Sequence, residues 1–207
     1  MTAPEVKKYD LVDLQLLTDR NLRDYNFFCW QPDKVYVVLG SSNKAEISID
    51  LDNIISDKVE VYKRPSGGES VILTPKTLVL ATLIHTKKLE DPPRHFRAIN
   101  GKIISTLQSL GVEHLSQKGI SDISIGEKKI LGSSIYRRTN IVFYHAVLNV
   151  SETTELMERY LLHPQKQPDY RNNRRHRDFV TSLHAEGYAF TIAELIRAFS
   201  EAAEIGN

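Results

Sequence analysis

Residues 63–71, KRPSGGESV, join two basic side chains to a proline, a serine and two adjacent glycines. A glycine-rich loop between apolar segments lets backbone approach a ligand closely, and its N–H groups can bind an anion. Arg64, directly before the loop, carries the planar fork that pairs with a phosphate or a carboxylate. The loop is neither a P-loop, which requires GxxxxGK[ST], nor a GxGxxG loop. Two adjacent glycines alone are also typical of a tight hairpin, which is the alternative to a ligand-binding loop.

A second candidate is EKKILGSS, residues 127–134, which places Lys129 on a predicted strand before a predicted Gly-Ser-Ser turn. A lysine held over a phosphate stabilises negative charge on oxygen as a bond breaks. The alternative is an ordinary exposed strand pair, because lysines are common on sheet edges.

Three further side chains stand out singly. Asp122, in GISDIS, is a candidate ligand for a divalent cation beside a phosphate, with a turn or capping role as the alternative. His145 interrupts an apolar strand and is either functional or a satisfied core histidine. Cys29 is the one cysteine of the sequence, which excludes an intrachain disulfide and a cysteine-based metal site.

The composition excludes several classes of protein. Lysine and arginine number 27 against 26 acidic residues, so the net charge is +1, which argues against a general nucleic-acid binder. We find no apolar segment long enough to span a membrane, and the N-terminus lacks the apolar core of a signal peptide. From 207 residues we expect a single cytoplasmic domain, 1–207, with neither a membrane nor a nucleic-acid partner.

The hydrophobic pattern predicts the elements that must position these groups. Helices are predicted at 10–22, 95–111, 151–161, 171–183 and 191–203, and strands at 27–30, 35–40, 46–50, 59–64, 78–84, 122–138 with a break at Gly126, and 140–150. Thr191 and Glu194 have capping-box spacing, and Gly111 can end the second helix. Antiparallel-looking clusters of strands with helices between them indicate the α+β class.

Taken in order, the motifs resemble the lipoate–protein ligase A family, within the larger biotin/lipoate ligase superfamily. The residues that carry the resemblance are Trp30-Gln31, then Gly40, Asn43 and Glu46, then KRPSGGESV, Ser121-Asp122, KILGSS and His145. Order and spacing agree with the family pattern from about residue 10 to residue 150. Agreement of several weak motifs in order is far more specific than any one of them.

The resemblance implies an α+β catalytic domain built on a mixed, largely antiparallel sheet flanked by helices, with the ligand in a cleft. It implies that Lys129 is the catalytic lysine and that Asp122 lies near Mg²⁺ and phosphate. The substrate- and ATP-binding residues that it implies are Asn43, Lys63, Arg64, Ser66, Gly67, Gly68, Val71, Gly132, Ser133, Ser134 and His145. Strands near Trp30 and Val71–Leu73 would form the apolar wall for the acyl chain.

The sequence also departs from the family pattern. Glu69 replaces the third glycine of the loop, Lys63 replaces the first arginine, and the family's His-Asp pair falls near Leu73-Thr74. A carboxylate at Glu69 would either repel phosphate or turn outward. We expect no C-terminal accessory domain within these residues, so the protein would be a minimal ligase or require a separate small subunit.

The resemblance therefore implies an ATP-dependent ligase that converts lipoate to lipoyl-AMP and transfers the lipoyl group to a lysine of a carrier domain. One alternative is an ATP-independent octanoyl or lipoyl amidotransferase, and another is a non-catalytic acyl- or carrier-binding module. Related octanoyltransferases carry an acyl-accepting cysteine, which in one class precedes the lysine, and residues 118–129 contain none. The carrier is expected to be acidic and to dock on the basic run Arg171, Arg174, Arg175 and Arg177, for which a solvated face is the alternative.

Overall fold

The computed structural model describes residues 4–18, 24–86 and 91–205 of the chain. The strands in these ranges are β1 (Val6–Lys8), β2 (Tyr25–Trp30), β3 (Tyr36–Leu39), β4 (Glu60–Lys63), β5 (Val71–Leu73), β6 (Thr77–His85), β7 (Leu115–Lys118), β8 (Asp122–Ile125), β9 (Lys128–Arg138) and β10 (Ile141–Asn149). The α-helices are α1 (Gln15–Thr18), α2 (Ala45–Ser48), α3 (Leu51–Ser56), α4 (Pro92–Ser109), α5 (Glu155–Tyr160), α6 (His176–Phe179) and α7 (Ile192–Ile205). None of the helices within these ranges has the length and apolar character needed to cross a bilayer.

Two sheets organise the strands. The large sheet has the order β2-β6-β10-β9-β8-β7, and every neighbouring pair in it is antiparallel. The small sheet has the order β1-β4-β3-β5, in which β1 and β3 run parallel to β4 and β5 runs antiparallel to β3. The α+β class and the mixed, largely antiparallel pairing are therefore confirmed, with the strands divided between two sheets.

The layers follow from the alternation of side chains along the strands. In β10, Tyr144 and Leu148 point into the core that α4 and α7 cover, whereas Phe143 and His145 point to the opposite face. That opposite face packs on the small sheet through a second core, which includes Trp30, Tyr36, Val38, Leu73 and Val79. Helices α3 and α5 cover the far side of the small sheet.

Helix α4 ends as its sequence predicts. Gly111 has φ +89°, the left-handed conformation that favours glycine. The N–H groups of Gly111 and Val112 donate to the carbonyls of Gln108 (2.9 Å) and Leu107 (3.0 Å), which is the Schellman pattern. The helix begins at Pro92, earlier than expected, because proline is suited to the first helical turn.

Four predicted elements need correction. Residues 46–50 were expected as a strand, but α2 occupies most of them, because a five-residue alternation cannot distinguish a strand from a short helix. The helix predicted at 171–183 is only a 3₁₀ turn and α6, since Asn172 and Asn173 adopt φ +47° and +60°. The helix at 151–161 shortens to α5. The helix at 10–22 is a 3₁₀ turn followed by α1, and its last four residues lie outside the described ranges.

The start of α7 gives a direct test of the predicted capping box. The N–H of Thr191 donates to Glu194 Oε2 (2.8 Å), and the N–H of Glu194 donates to Thr191 Oγ1 (3.2 Å). We expect Thr191→Ala to lower the free energy of unfolding by about 1 kcal/mol in urea titrations, because one helix N–H loses its acceptor. Thr191→Ser keeps the hydroxyl and should unfold like the wild type. Equal midpoints for Thr191→Ala and wild type would contradict the role of the cap.

Candidate active site

A cleft of about 620 Å³ is lined by both sheets and by two connecting segments. The segments are the glycine-rich loop (residues 64–70) and residues 162–180, called the cover segment below. Val71, Leu73, Val79 and Val147 form an apolar part of the wall. Trp30 is buried in the core between the sheets and is not part of the lining.

A β-bulge turns Lys129 into this cleft. Lys129 pairs with Ser124 and Leu131 pairs with Ile123, so Ile130 is an extra residue in β9. Ile130 and Leu131 consequently both pack in the core beneath α4 and α7. The extra residue shifts the alternation by one position, which places Lys129 on the cleft face of the sheet.

The Lys129 ammonium is held at the cleft by a carboxylate. Its Nζ lies 2.8 Å from Asp122 Oδ1, and Asp122 is buried. The second oxygen, Oδ2, accepts a hydrogen bond of 2.8 Å from the Tyr170 hydroxyl. Burial and the neighbouring Asp122 charge raise the pKa of Tyr170 well above its ordinary value, so this hydroxyl remains a donor. The cleft therefore contains a cation with a fixed position.

Gly132 makes room for this lysine. A Cβ at position 132 would lie 2.6 Å from Lys129 Nζ and 2.7 Å from its Cε. The predicted Gly-Ser-Ser turn is wrong, because residues 132–134 continue β9. Gly132 pairs there with Val147, and Ser134 pairs with His145. The Ser133 hydroxyl donates to the carbonyl of Ser121 (2.6 Å).

Arg64 organises the glycine-rich loop from within. Its Nε donates to Ser66 Oγ (3.1 Å) and its Nη1 to the Val38 carbonyl (3.2 Å). Its Nη2 donates to the carbonyls of Gly67 (2.7 Å) and Glu69 (2.9 Å). Burial lowers the pKa of Arg64 to about 10, so the side chain stays charged at neutral pH. Arg64 therefore fixes the loop and also contributes positive charge to the cleft wall.

The two adjacent glycines are not equivalent. Gly68 has φ +89°, and a Cβ there would lie 3.0 Å from Arg64 Nη2. The same loop lies so close to Gly40 that a Cβ at position 40 would be 1.9 Å from the Gly68 carbonyl oxygen. A Cβ on Gly67 would meet nothing within 4 Å. The backbone requires glycine at positions 40 and 68, and it imposes no such requirement at 67.

A buried polar chain connects the loop to the large sheet and to the N-terminal segment. Ser66 Oγ lies 2.9 Å from Ser134 Oγ and 2.5 Å from His145 Nε2. His145 Nδ1 faces Asp13 Oδ2 at 3.5 Å, and the Tyr9 hydroxyl donates to Asp13 Oδ1 (2.6 Å). Burial lowers the pKa of His145 below its ordinary value. Sequence reasoning missed Asp13, because nothing local distinguishes it from a carboxylate at a helix start.

Asn43 and Lys63 lie behind the loop. Asn43 Oδ1 accepts from the Gly40 N–H (2.8 Å), and Lys63 Nζ donates to the Asn43 carbonyl (3.0 Å). Neither side chain lines the cleft, and Ser66 and Gly67 do not line it either. The predicted site residues that line it are Arg64, Gly68, Val71, Asp122, Lys129, Gly132, Ser133, Ser134 and His145.

Comparison with known proteins places this geometry in a family. A family model of the lipoyl protein ligase A/B catalytic domain matches residues 12–204. The chain belongs to this family. The resemblance inferred from the motifs is thereby confirmed.

The relatives of this lipoyl ligase-family domain include both ligases and transferases. Lipoate-protein ligase A of Psychrobacter cryohalolentis is 28% identical over 147 residues, which are 70% of this chain and 41% of the relative. Lipoate-protein ligase A subunit 1 of Thermoplasma acidophilum is 25% identical over 140 residues, 63% of this chain and 53% of the relative. Octanoyltransferase LipM of Oceanobacillus iheyensis is 25% identical over 178 residues, 77% and 64% of the two chains. The chain thus spans about half the length of these relatives.

Solved structures support the fold of the lipoyl ligase-family domain. A bipartite lipoate protein ligase from Thermoplasma acidophilum aligns with TM-score 0.77 and 21% identity, covering 97% of this chain and 84% of that one. A lipoate-protein ligase A bound with ATP aligns with TM-score 0.74 and 22% identity, covering 97% and 86%.

Glu69, the departure from the family's loop, lines the cleft and contacts the cover segment. Its Oε1 accepts from the Lys166 N–H (3.0 Å), and Oε2 lies 3.5 Å from Asn43 Nδ2. The carboxylate therefore does not turn outward. It connects the glycine-rich loop to the segment across the cleft.

Only part of the basic run, residues 171–177, lies on the surface of the domain. Arg171 is buried and lines the cleft. Arg174 donates to the carbonyls of Tyr170 (2.9 Å) and Glu127 (3.1 Å) and stacks on a phenylalanine ring. Arg175 and Arg177 are exposed. The prediction that all four arginines dock a partner is therefore wrong for Arg171, because a buried side chain cannot contact a docking domain.

A magnesium site held by protein groups alone does not fit the described residues. No group of three or more His, Cys, Asp or Glu side chains converges within them. Asp122, the predicted ligand, already contacts Lys129 and Tyr170 with its two oxygens. Mg²⁺ commonly binds through substrate phosphates and few protein carboxylates, so Asp122 would be at most one of its ligands.

Gly132→Ala tests whether the space above this glycine matters. The new methyl group would displace the Lys129 ammonium from Asp122, and activity that depends on this lysine should fall by roughly 10²-fold. Stability should fall as well, because the displaced ammonium leaves the buried Asp122 carboxylate without its counter-charge. The measurements are acyl transfer to a lipoyl domain and thermal unfolding, with Gly67→Ala as the control for stability. Full transfer activity in Gly132→Ala would contradict the assigned position of Lys129.

Histidine burial predicts a pH dependence of stability. The pKa of His176 falls from an ordinary 6.5 to about 4, mainly because the side chain is buried and secondly because the Arg171 charge is near. Burial also lowers the pKa of His145. The native state then binds fewer protons than the unfolded chain between about pH 4 and 6.5, so the free energy of unfolding should rise with pH across this window. Urea titrations should show a smaller rise for His176→Gln. His114→Gln changes a side chain that is 80% exposed, so the rise with pH should stay as in the wild type. If the free energy of unfolding rose equally with pH in both variants, His176 would not be a source of the pH dependence.

Proposed function

We propose that the domain is an ATP-dependent lipoate–protein ligase. The observation that carries the proposal is the Lys129 ammonium, held by Asp122 over Gly132 beside an apolar wall. A fixed cation next to an apolar wall suits an acid with a long apolar chain and a reacting carboxylate. The family match and the ligases among the relatives support the same activity.

In the first step, a carboxylate oxygen of lipoate attacks the α-phosphorus of ATP, and the bond from this phosphorus to the bridging oxygen breaks. The products are lipoyl-AMP and pyrophosphate. In our proposal the acyl chain lies along Val71, Leu73 and Val147, and Lys129 faces the oxygens on which negative charge develops. Such a cation acts most strongly in a site that excludes water. The backbone of the glycine-rich loop, fixed by Arg64, lies along the adenylate.

In the second step, the uncharged amine of a carrier lysine attacks the acyl carbon. The bond from this carbon to the phosphate oxygen breaks, AMP leaves and the amine nitrogen loses a proton. Lys129 again faces the oxygen that becomes negative. The bipartite Thermoplasma ligase was studied with its E2 lipoyl domain, which supports a lipoyl domain as the acceptor and a separate accessory subunit for this chain. Arg175 and Arg177 remain available for an acidic carrier.

The octanoyltransferase among the relatives keeps ATP-independent transfer as the second candidate. A thioester route requires a thiol at the cleft. Cys29 Sγ lies instead against α7, 3.9 Å from the Ile196 carbonyl and 4.0 Å from Ser200 Oγ, and burial raises its pKa. This position favours adenylation over transfer through a thioester. Retention of Lys129 and Asp122 argues against a non-catalytic module.

Exchange of labelled pyrophosphate into ATP tests the proposal, because only adenylation makes this exchange depend on lipoate. We expect lipoate-dependent exchange in the wild type and a loss of roughly 10²–10³-fold in Lys129→Ala. Lys128→Ala is the matched control, because the neighbouring lysine is exposed and points to the other face of β9. Mass spectrometry of a lipoyl domain should show lipoylation only when ATP is present. Transfer from an octanoylated carrier without ATP, and no exchange, would establish the amidotransferase instead.

A further inference from the structure

The cover segment and the residue after it contact β9 and Asp122 at several points. Val180 pairs with Lys129 in a parallel bridge, and the Thr181 N–H donates to the Lys129 carbonyl (2.9 Å). The Tyr170 hydroxyl donates to Asp122, as described above. These contacts place the first residues after Tyr170 beside the Lys129–Asp122 pair.

Arg171 is the charged residue that this arrangement brings to the cleft. It is 6% exposed, and its guanidinium lies 4.8 Å from the centre of the Phe179 ring. Its Nε donates to the Arg174 carbonyl (3.0 Å), whereas its Nη2 is buried and has no hydrogen-bond partner. The backbone is held too, since the Arg171 N–H donates to the Pro168 carbonyl (2.9 Å).

No ion pair compensates the charge of Arg171 among the described residues. The Asp122 and Glu158 carboxylates act on it only at longer range, and Asp122 is paired with Lys129. Among the described residues, no carboxylate comes within ion-pair distance of the Arg171 guanidinium. Burial lowers the pKa of Arg171, but an arginine stays protonated. A buried cation without a partner is unfavourable, and an anion that binds beside it removes part of that cost.

We propose that Arg171 binds a phosphate group of the nucleotide during adenylation. This inference rests on the function proposed above and adds a residue that the sequence had placed on a docking surface. Phosphate matches the two-pronged geometry of a guanidinium. The apolar wall of Val71, Leu73 and Val147 suits the acyl chain, whereas the cover segment adds the polar side chains of Lys166 and His176 to the lining. In this proposal the polyanion lies on the side of the cover segment.

The test is calorimetry with inorganic pyrophosphate and with ATP, together with steady-state exchange kinetics. Arg171→Gln should weaken binding of pyrophosphate and raise the KM for ATP by about 10- to 100-fold, while the KM for lipoate stays unchanged. Arg171→Lys should recover only part of this loss, because an ammonium lacks the fork. Arg197→Gln, at an exposed arginine of α7 that does not line the cleft, should behave like the wild type.

Thermal unfolding separates this role from a structural one. Arg171→Gln should unfold at or above the wild-type temperature, because it removes a buried charge that has no ion-pair partner. A lower unfolding temperature with equal losses for ATP and lipoate would show that Arg171 only holds the cover segment, and would overturn the inference. A raised KM for lipoate with unchanged pyrophosphate binding would assign Arg171 to the carboxylate and overturn it as well.

The same data distinguish failure of the inference from failure of the proposed function. If the wild type catalyses lipoate-dependent exchange and Arg171→Gln matches it, the inference alone is wrong. If the wild type catalyses no exchange but transfers octanoyl groups without ATP, and Arg171→Gln lowers pyrophosphate binding, adenylation is wrong and the anion site stands.

Discussion

The ion pair between Lys129 and Asp122 depends on three separate features of the chain. The bulge at Ile130 turns the lysine toward the cleft, Gly132 leaves space for its side chain, and Tyr170 occupies the second carboxylate oxygen. The first two features lie in β9, and the third lies in the cover segment. A largely buried pair tolerates such an arrangement only when its remaining hydrogen-bonding capacity is used, since an unpaired buried charge is costly. The pair is thus a product of the tertiary fold.

The glycine-rich loop also depends on buried polar groups that have hydrogen-bond partners, and here most partners are uncharged carbonyls and hydroxyls. Arg64 donates to carbonyls of the loop itself, and Ser66 connects the loop to His145 and Ser134. A polar network of this kind is strongly stabilising when its members are satisfied, because the surrounding dielectric constant is low. The loop is therefore held in one conformation from its buried side. In this conformation Gly68, Glu69 and Ser70 line the cleft.

Much of the fold could be predicted because its signals are local. The periodicity of α4, its glycine end and the alternation of β10 each depend on neighbouring residues. The prediction for residues 46–50 was wrong because a short amphipathic segment fits a strand and a helix equally well. The helix predicted at 171–183 was wrong because Asn172 and Asn173 adopt the left-handed conformation and interrupt it. The motif predicted Lys129 as a site residue, and the structure places its side chain at the cleft, but the bulge at Ile130 was not predicted. Tyr170 could not be found, because it meets a carboxylate 48 positions away that no local pattern relates to it.

The relatives include both ligases and an octanoyltransferase, and the two kinds of reaction make different demands on the cleft. A thioester route needs a thiol within reach of the acyl carbon. An adenylate route needs positive charge for a phosphate that carries the acyl group. In this chain the single cysteine lies against α7, whereas Arg64, Lys129 and Arg171 line the cleft with cations from three different segments. Three carboxylates also line it: Asp122 is paired with Lys129, Glu69 accepts a backbone N–H, and Asp169 is exposed to solvent. The replacement of the family's glycine by Glu69 therefore leaves the cleft suited to an anion, because the added carboxylate is engaged by the cover segment.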